Sequence, residues 1–175
     1  DRAPSGRQDA RAMTTGLLPI AEINSMDRRA FVVRFGGVYE RSPWVAEEAW
    51  QARPFADRRA LERALEQAVL DAGRVRQLEL LRLHPPLGTR LKLSGYSRAE
   101  QAGAGLLEAN AADRAEIARL NGDYERKFGF PFILAVRNAD LRSILESCRA
   151  RISADPASEF DESLRQVFRI AGFRL

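Results

Sequence analysis

Apolar residues recur every three or four positions along most of this chain, and the alternation typical of β-strands is nearly absent. The clearest stripe lies within residues 57–72 and consists of Leu61, Ala64, Leu65, Ala68 and Val69. This spacing places these side chains on one face of a helix. Because an amphipathic helix buries that face against other helices, the sequence predicts an all-α fold, a single-domain compact bundle of about eight helices.

Residues that favour helix starts and stops divide the chain further. Ser25 can cap one helix, and the S-x-x-E spacing of Ser97 and Glu100 predicts a capping box for a helix that begins at about Arg98. The predicted helices cover residues 26–35, 43–50, 57–72, 74–83, a segment from about 98, a segment ending at 128, 141–152 and 156 onward. Residues 133–136 form a short apolar run, which is predicted as an extended turn or a helix start because no partner strand is evident.

The size of the chain sets its domain organisation. It has 175 residues, of which 45% are hydrophobic, and this is enough for one domain with a substantial core. Residues 20–175 form the predicted domain. Residues 1–19 are polar and lack apolar periodicity, so we expect a flexible tail. Met13 is a plausible natural start, and residues 1–12 are therefore left out of the functional argument.

The charge balance favours a solvated surface. The chain has 28 Lys and Arg residues against 24 Asp and Glu residues, and the two signs are mixed along it. A nucleic-acid-binding protein concentrates its positive charge on one face, so nucleic acid is not expected as a partner. That alternative stays open if the basic residues Arg28, Arg29, Arg34, Arg58 and Arg59 share a face.

Cysteine content and hydropathy limit the remaining classes. Cys148 is the only cysteine, so an internal disulfide and a cysteine-based zinc site are excluded, and no metal is expected. No apolar run approaches the length of a membrane span, and no signal-peptide pattern is seen. We therefore expect a cytoplasmic protein without a membrane partner.

His84 is the only histidine and the leading candidate for proton transfer. Its unperturbed pKa lies near neutrality, which suits a general acid or base. Pro85 and Pro86 must end the preceding helix, so His84 lies at a helix end, where it could instead bond the final carbonyl groups. The capping box likewise gives Ser97 and Glu100 a structural alternative.

Two further polar residues stand beside apolar or small ones. Gln101 precedes the run Ala-Gly-Ala-Gly, whose small side chains permit close approach of a ligand or of another helix. Arg137 follows the apolar run FILAV and needs a carboxylate, a ligand anion or solvent, with a structural ion pair as the default.

Four sequence segments in a fixed order are more specific than any single motif. They read NSMDRRAFVVRFGGVYERSPWVAEEAW, LLRLHP, SRAEQAGAGL and LNGDYERKFGFPFILAVR, and a terminal helix follows them. Together they resemble the 2-oxo-4-hydroxy-4-carboxy-5-ureidoimidazoline (OHCU) decarboxylase family over residues 20–175. The resemblance implies an all-helical, usually dimeric enzyme without a cofactor. It would catalyse the last step of urate oxidation, in which the substrate loses CO2 and gives the S enantiomer of allantoin.

The resemblance also implies roles for individual residues. His84 would be the main acid/base residue, and Glu100 would orient or polarise it. The implied substrate-binding residues are Pro85, Ser97, Gln101, Phe132, Ile133 and Arg137, of which Arg137 would hold an anionic group. The family commonly reads H-P-D-L-G, whereas this chain has Pro86 in place of the aspartate. The turn is therefore stiffer and lacks one acceptor, which leaves an inactive helical scaffold as a second alternative.

Overall fold

The computed structural model describes residues 18–88, 95–106 and 109–175. The predicted tail therefore lies outside the described residues, apart from its last two positions. The helices in the described ranges are α1 (Ile20–Ser25), α2 (Arg28–Phe35), α3 (Trp44–Ala49), α4 (Arg58–Asp71), α5 (Gly73–Arg82), α6 (Gly95–Gly103), α7 (Ala111–Phe128), α8 (Leu141–Arg151) and α9 (Pro156–Arg174). A 3-10 turn, Trp50–Ala52, follows α3. These ranges contain no strand, and the all-α prediction is confirmed.

Most helix ends follow the capping chemistry of the sequence. The Asp57 carboxylate accepts from the Ala60 N–H at 2.7 Å at the start of α4, and the Asp155 carboxylate accepts from two backbone N–H groups at the start of α9. Gly129 ends α7 with a φ of 78°, a left-handed conformation that glycine adopts without steric cost. Residues 130–136 then run without regular helix, as the extended alternative predicted.

Two predicted helix starts are wrong. Ser25 does not cap a helix over 26–35; its hydroxyl donates to the Glu22 carbonyl at 2.7 Å inside α1, and Asp27 caps α2 instead. The helix expected from about Arg98 begins at Gly95, which places Ser97 in its first turn. The capping box does not form, because both of its side chains bind distant charged partners that are described below.

The helices bury the predicted stripes in one core. Leu61, Leu65 and Val69 of α4 are at most 1% exposed, and Cys148 of α8 is buried as well. The longest helix, α9, contributes Phe160, Leu164, Val167, Ile170 and Ala171 and packs against α5 and α7. The last turn of α9 lies beside His84, because Arg174 in that turn lines the same cavity. None of the described helices is both long and apolar enough to cross a membrane.

Candidate active site

His84 is buried immediately after α5 and is 6% exposed. Its backbone N–H donates to the Leu81 carbonyl at 3.2 Å, and the ring Nδ1 lies 3.2 Å from the Leu80 carbonyl oxygen. Since a carbonyl oxygen only accepts, Nδ1 carries the proton in this pair and Nε2 keeps its lone pair. The helix end therefore fixes the tautomer and leaves Nε2 as the basic atom.

Burial sets the protonation state of this histidine. It lowers the pKa of His84 from 6.5 to about 4, with a further lowering by the positive charge of Arg174; the hydrogen bond to the Leu80 carbonyl and the charge of Glu40 act in the opposite direction. His84 is consequently neutral at pH 7. A neutral imidazole can accept a proton at Nε2 before it can donate one.

Arg174, in the last turn of α9, lies at the centre of the buried polar groups and its side chain is 2% exposed. Nε and Nη2 donate to the two Glu100 oxygens at 2.7 and 2.8 Å, a bidentate pair. Nη1 donates to the Val38 carbonyl and to Glu40, and Nη2 also donates to the Ser97 hydroxyl. All five N–H groups of the guanidinium are thus engaged by the protein.

Two carboxylates keep this buried arginine charged. Burial by itself would lower the pKa of Arg174, but the hydrogen bonds and charges of Glu100 and Glu40 outweigh it and raise the pKa above its usual value. Glu40, 2% exposed, also accepts from the Ser97 hydroxyl at 2.8 Å. The cluster therefore joins the segment between α2 and α3 to α6 and to the last turn of α9.

The turn that follows His84 is held from two sides. The Gly88 N–H donates to the Gln101 side chain of α6 at 2.9 Å, and the Asn121 amide of α7 donates to the Leu87 carbonyl at 2.8 Å. Gly88 has a φ of 77°, and a Cβ at this position would lie 2.8 Å from the Ile117 side chain. Both the backbone conformation and the space require glycine here.

The candidate site residues line one cavity of about 30 Å³. Seven of the residues expected from the sequence meet there, namely His84, Pro85, Ser97, Glu100, Gln101, Phe132 and Ile133. The apolar wall is completed by Leu87, Leu134, Val136 and Ile170. In the bonding shown here, Glu100 pairs with Arg174, while the Leu80 carbonyl orients His84.

Arg137 is the expected site residue that lies elsewhere. Its side chain is exposed, donates to the Phe173 carbonyl at 2.9 Å and stacks on the Phe173 ring at 4.2 Å. Arg174, rather than Arg137, is the arginine that lines the cavity with these residues. Its signal was present in the sequence, since Arg174 continues the buried stripe of α9 at helical spacing from Ile170. No such spacing in the sequence marked Glu40 as a buried residue of this cluster.

A larger open groove of about 740 Å³ lies between α3 and α4, away from this cluster. Alanine side chains and charged rim residues line much of it, including Glu48, Arg63, Asp71 and Arg76. It contains no histidine and no buried ionisable group. The smaller cavity at His84 is therefore the better candidate for an active site, because it contains a histidine and buried charged groups.

Comparison with known proteins identifies the family. The sequence profile of the family described as OHCU decarboxylase matches residues 24–175. The 2-oxo-4-hydroxy-4-carboxy-5-ureidoimidazoline decarboxylase of Halalkalicoccus jeotgali is 40% identical over 158 residues, 90% of this chain and 90% of the relative. The enzyme of the same description from Haloferax volcanii is also 40% identical, over 90% of this chain and 94% of its own length.

The fold agrees with this assignment. A crystal structure described as (S)-allantoin synthase superposes with a TM-score of 0.70 at 30% identity and covers 90% of this chain and 52% of that one. The profile match includes every residue of the cavity, from the His84 turn through α6 to the end of α9. The chain belongs to the OHCU decarboxylase family.

Proposed function

We propose that this chain catalyses the decarboxylation of 2-oxo-4-hydroxy-4-carboxy-5-ureidoimidazoline to (S)-allantoin and CO2. The observation that carries the proposal is the cavity in which a neutral, buried His84 lies beside a charged Arg174 and Glu100. The relatives that match along almost the whole chain are described as acting on this substrate. The arrangement supplies a proton acceptor, an anion-binding group and polar contacts in one place.

The substrate contains its own electron acceptor. Its hydroxyl and carboxyl groups are both on C4, next to the ring C=N group, so the electron pair of the breaking C4–carboxyl bond moves toward that nitrogen as CO2 leaves. The neighbouring C5 then takes a proton, the hydroxyl loses one, and the ring nitrogen gains one from solvent. Because no external electron sink is needed, we propose that the enzyme works without an organic cofactor.

His84 suits the internal proton transfer in this sequence. Its unprotonated Nε2 can accept the hydroxyl proton and, as imidazolium, return a proton to carbon from one side. A buried imidazolium is unfavourable, as the lowered pKa of His84 indicates, so the second transfer is strongly driven. Delivery from one face would give a single enantiomer.

Arg174 is proposed as the group that holds the substrate carboxylate, in place of Arg137. Because its five N–H groups are engaged and the cavity is about 30 Å³, an incoming carboxylate must replace one of the present partners. Glu100 is 25% exposed and is the partner with room to move, whereas Glu40 is 2% exposed. Displaced from Arg174, Glu100 would be available to polarise His84 or a substrate N–H.

The remaining polar residues are proposed to bind the edges of the substrate. Ser97 and Gln101 lie on one face of α6 and point into the cavity, while Pro85, Phe132 and Ile133 form part of its wall. Such positioning contributes to catalysis by holding the reacting groups in a productive arrangement.

Turnover of freshly generated substrate tests the proposal. Substrate made by enzymatic oxidation of urate should disappear faster with the protein than in buffer, and circular dichroism should report accumulation of (S)-allantoin. Decay at the buffer rate, with racemic product, would support the inactive scaffold instead. A protein denatured and assayed at the same concentration serves as the control.

The nucleic-acid alternative has little structural support. Arg28 pairs with Glu47 at 3.1 Å, and the half-buried Arg58 donates to the Leu175 and Leu18 carbonyl groups. The charge of Arg28 is therefore partly neutralised by a carboxylate, and Arg58 is engaged with backbone carbonyl groups. Binding of duplex DNA with a steep salt dependence would reopen the question.

The assembly and location implied by the resemblance and composition are proposals as well. We propose a homodimer, which light scattering on the purified protein can test. A cytoplasmic location is proposed because Cys148 is the only cysteine, so the chain has no internal disulfide and suits a reducing compartment. Cell fractionation would test this location.

A further inference from the structure

One wall of the cavity at His84 is an irregular segment that has no helical hydrogen bonds of its own. Residues 130–136 follow α7 and supply four of the lining side chains, Phe132, Ile133, Leu134 and Val136. Because a segment of this kind has no regular ladder, its shape depends on the groups that bind its backbone. Gln166 of α9 provides one such contact by accepting from the Ala135 N–H at 3.0 Å.

Arg151, the last residue of α8, provides a second contact to the backbone of this segment. Its Nη1 donates to the Ile133 carbonyl at 2.7 Å, and its guanidinium lies 4.7 Å from the centre of the Phe132 ring. Arg151 does not line the cavity, and its side chain is 13% exposed. It therefore contacts two consecutive wall residues without lining the cavity itself.

A buried network fixes the position of this arginine. Arg151 Nε donates to Glu159 at 2.8 Å, and Nη2 donates to the Ser163 hydroxyl at 3.2 Å. The Tyr124 hydroxyl of α7 donates to the same Glu159 carboxylate, which is 2% exposed. Tyr124 also meets the Phe132 ring edge-on at 5.3 Å. Three helices, α7, α8 and α9, thus converge on the wall.

The network determines which way the Ile133 peptide faces. Its carbonyl oxygen is turned toward Arg151, and in a trans peptide the following N–H, that of Leu134, points in the opposite direction. The Ile133 carbonyl oxygen is consequently bound to a residue that does not line the cavity. A rotated peptide would place that acceptor beside an anionic substrate and would also move the Phe132 ring.

A purely stabilising role does not explain the network well. Taking a guanidinium and a carboxylate out of water costs free energy, and well-packed apolar groups often stabilise a core equally well. What an ion pair adds is a defined direction for each hydrogen bond. Here one of the directed hydrogen bonds runs from Arg151 to the Ile133 carbonyl, which belongs to the cavity wall.

We propose that Arg151 is a positioning residue for the decarboxylase site, which acts by holding the Ile133 carbonyl and the Phe132 ring in place through its pairing with Glu159. This role rests on the proposed function of the cavity. Arg151 touches neither the substrate nor the reacting atoms. Its loss should impair the chemical step and the facial selectivity of protonation more than the folding of the chain.

Arg151→Lys tests this role with charge retained. A lysine can pair with Glu159 but cannot span Glu159, Ser163 and the Ile133 carbonyl in one rigid plane. We expect kcat to fall roughly tenfold to a hundredfold, the scale of effect that a misplaced group about 1 Å away produces, with a smaller change in KM. The enantiomeric excess of the allantoin should fall, and amide hydrogen exchange should accelerate at residues 133–135.

Arg149→Lys is the matched control. Arg149 lies on the same helix and also binds a glutamate, Glu116, at 3.0 Å, but its side chain is 52% exposed. This variant should keep the kcat, the enantiomeric excess and the exchange rates of the parent protein. A double variant, Arg151→Met with Glu159→Gln, removes both buried charges together and should reproduce the Arg151→Lys effects if the single variant folds poorly.

The outcomes distinguish a failure of the proposed function from a failure of the positioning role of Arg151. A parent protein without turnover would count against the proposed function, and the hydrogen exchange comparison would still measure whether Arg151 orders the wall. An active parent with unchanged kcat, enantiomeric excess and exchange in the folded Arg151 variants would overturn the positioning role. A loss of thermal stability alone, with those three readouts unchanged, would have the same meaning.

Discussion

At the scale of single residues, the proposed chemistry of this protein depends on a histidine whose environment favours its neutral form. His84 has its Nδ1 proton directed at a helix-end carbonyl and its pKa lowered to about 4 by burial. The structural alternative raised by the sequence, a histidine that merely bonds the last turn of a helix, describes Nδ1 correctly. It does not describe Nε2, which is the atom available for catalysis.

His84→Asn separates these two roles. Asparagine preserves some of the size and hydrogen bonding of histidine but cannot carry a proton, so the rate should fall roughly a hundred- to ten-thousand-fold, the usual contribution of positioned proton transfer. Residual product should be nearly racemic, because it forms in solution. Product chirality measured by circular dichroism, alongside a thermal melt that stays close to that of the parent, checks the prediction. Full-rate formation of one enantiomer would remove His84 from the mechanism.

The same burial predicts how stability depends on pH. The folded state resists protonation of His84 until about pH 4, whereas an unfolded histidine takes up its proton near pH 6.5. Between these values the unfolded state binds more protons, so the free energy of unfolding falls as the pH falls, by up to about 3 kcal/mol from this residue. Above pH 6.5 the residue contributes no pH dependence.

Urea unfolding at several pH values measures this effect. The free energy of unfolding of the parent protein, relative to that of His84→Asn, should decrease as the pH decreases from 6.5 toward 4. Taking the difference cancels the carboxylates that both proteins share. Parallel pH profiles for the two proteins would show that the folded and unfolded pKa values of His84 are alike.

At the scale of elements, the catalytic turn is shaped by the helices on either side of it. Helix α6 offers Gln101 to the Gly88 N–H, and α7 offers Asn121 to the Leu87 carbonyl. Pro86, which replaces the family's aspartate, lies within this turn and is partly buried. The two side-chain contacts bind the turn through its backbone at Leu87 and Gly88, so neither of them depends on the side chain at position 86.

Gly88→Ala and Gly73→Ala form a matched pair for testing the turn. Both glycines have φ near +78°, so each alanine should cost about 1–2 kcal/mol from backbone strain. A Cβ on Gly73 would meet nothing within 4 Å, whereas one on Gly88 would meet Ile117 at 2.8 Å. We therefore expect Gly73→Ala to keep its activity and Gly88→Ala to lose more stability and much of its kcat. Equal effects of the two changes, measured by urea unfolding and turnover, would show that the turn tolerates displacement.

Sequence patterns predicted the elements better than they predicted their polar contacts. The stripe of α4, the helix end at residue 128 and the helix start at residue 156 are local signals, and each is found as expected. The Ser97–Glu100 spacing was also local, but the helix extends past it to Gly95. Distant charged groups supply stronger hydrogen bonds to both side chains than a helix start can, and such partners cannot be read from spacing.

At the scale of the whole molecule, the candidate site exists only because distant parts of the chain meet. Arg174 binds Glu40 and Glu100, which are 134 and 74 positions away in the sequence. The resemblance pointed to His84, Glu100, Ser97 and Gln101, which line the cavity, but it also pointed to Arg137 as the group that holds an anion, and Arg137 does not line the cavity. Arg137 belongs to a continuous sequence motif, whereas the burial of Arg174 depends on partners that lie far away in the sequence.

Arg174→Lys compared with Arg137→Lys decides which arginine holds the substrate. A lysine at 174 keeps the charge but has three N–H groups, so it cannot bind Glu40 and the substrate carboxylate in the planar arrangement of a guanidinium. Because the substrate carboxylate is bound before it leaves as neutral CO2, the loss should fall mainly on KM, with kcat/KM reduced roughly a hundredfold, equivalent to about 3 kcal/mol. Arg137 is exposed and bonded to the Phe173 carbonyl, so Arg137→Lys should leave both constants within about twofold of the parent, the small effect usual for a surface substitution.

Steady-state kinetics on freshly made substrate, at a temperature well below the melting point of each variant, provides the comparison. The reverse pattern, with KM raised only by Arg137→Lys, would place substrate binding outside the buried cavity and would leave Arg174 as a structural partner of its two glutamates.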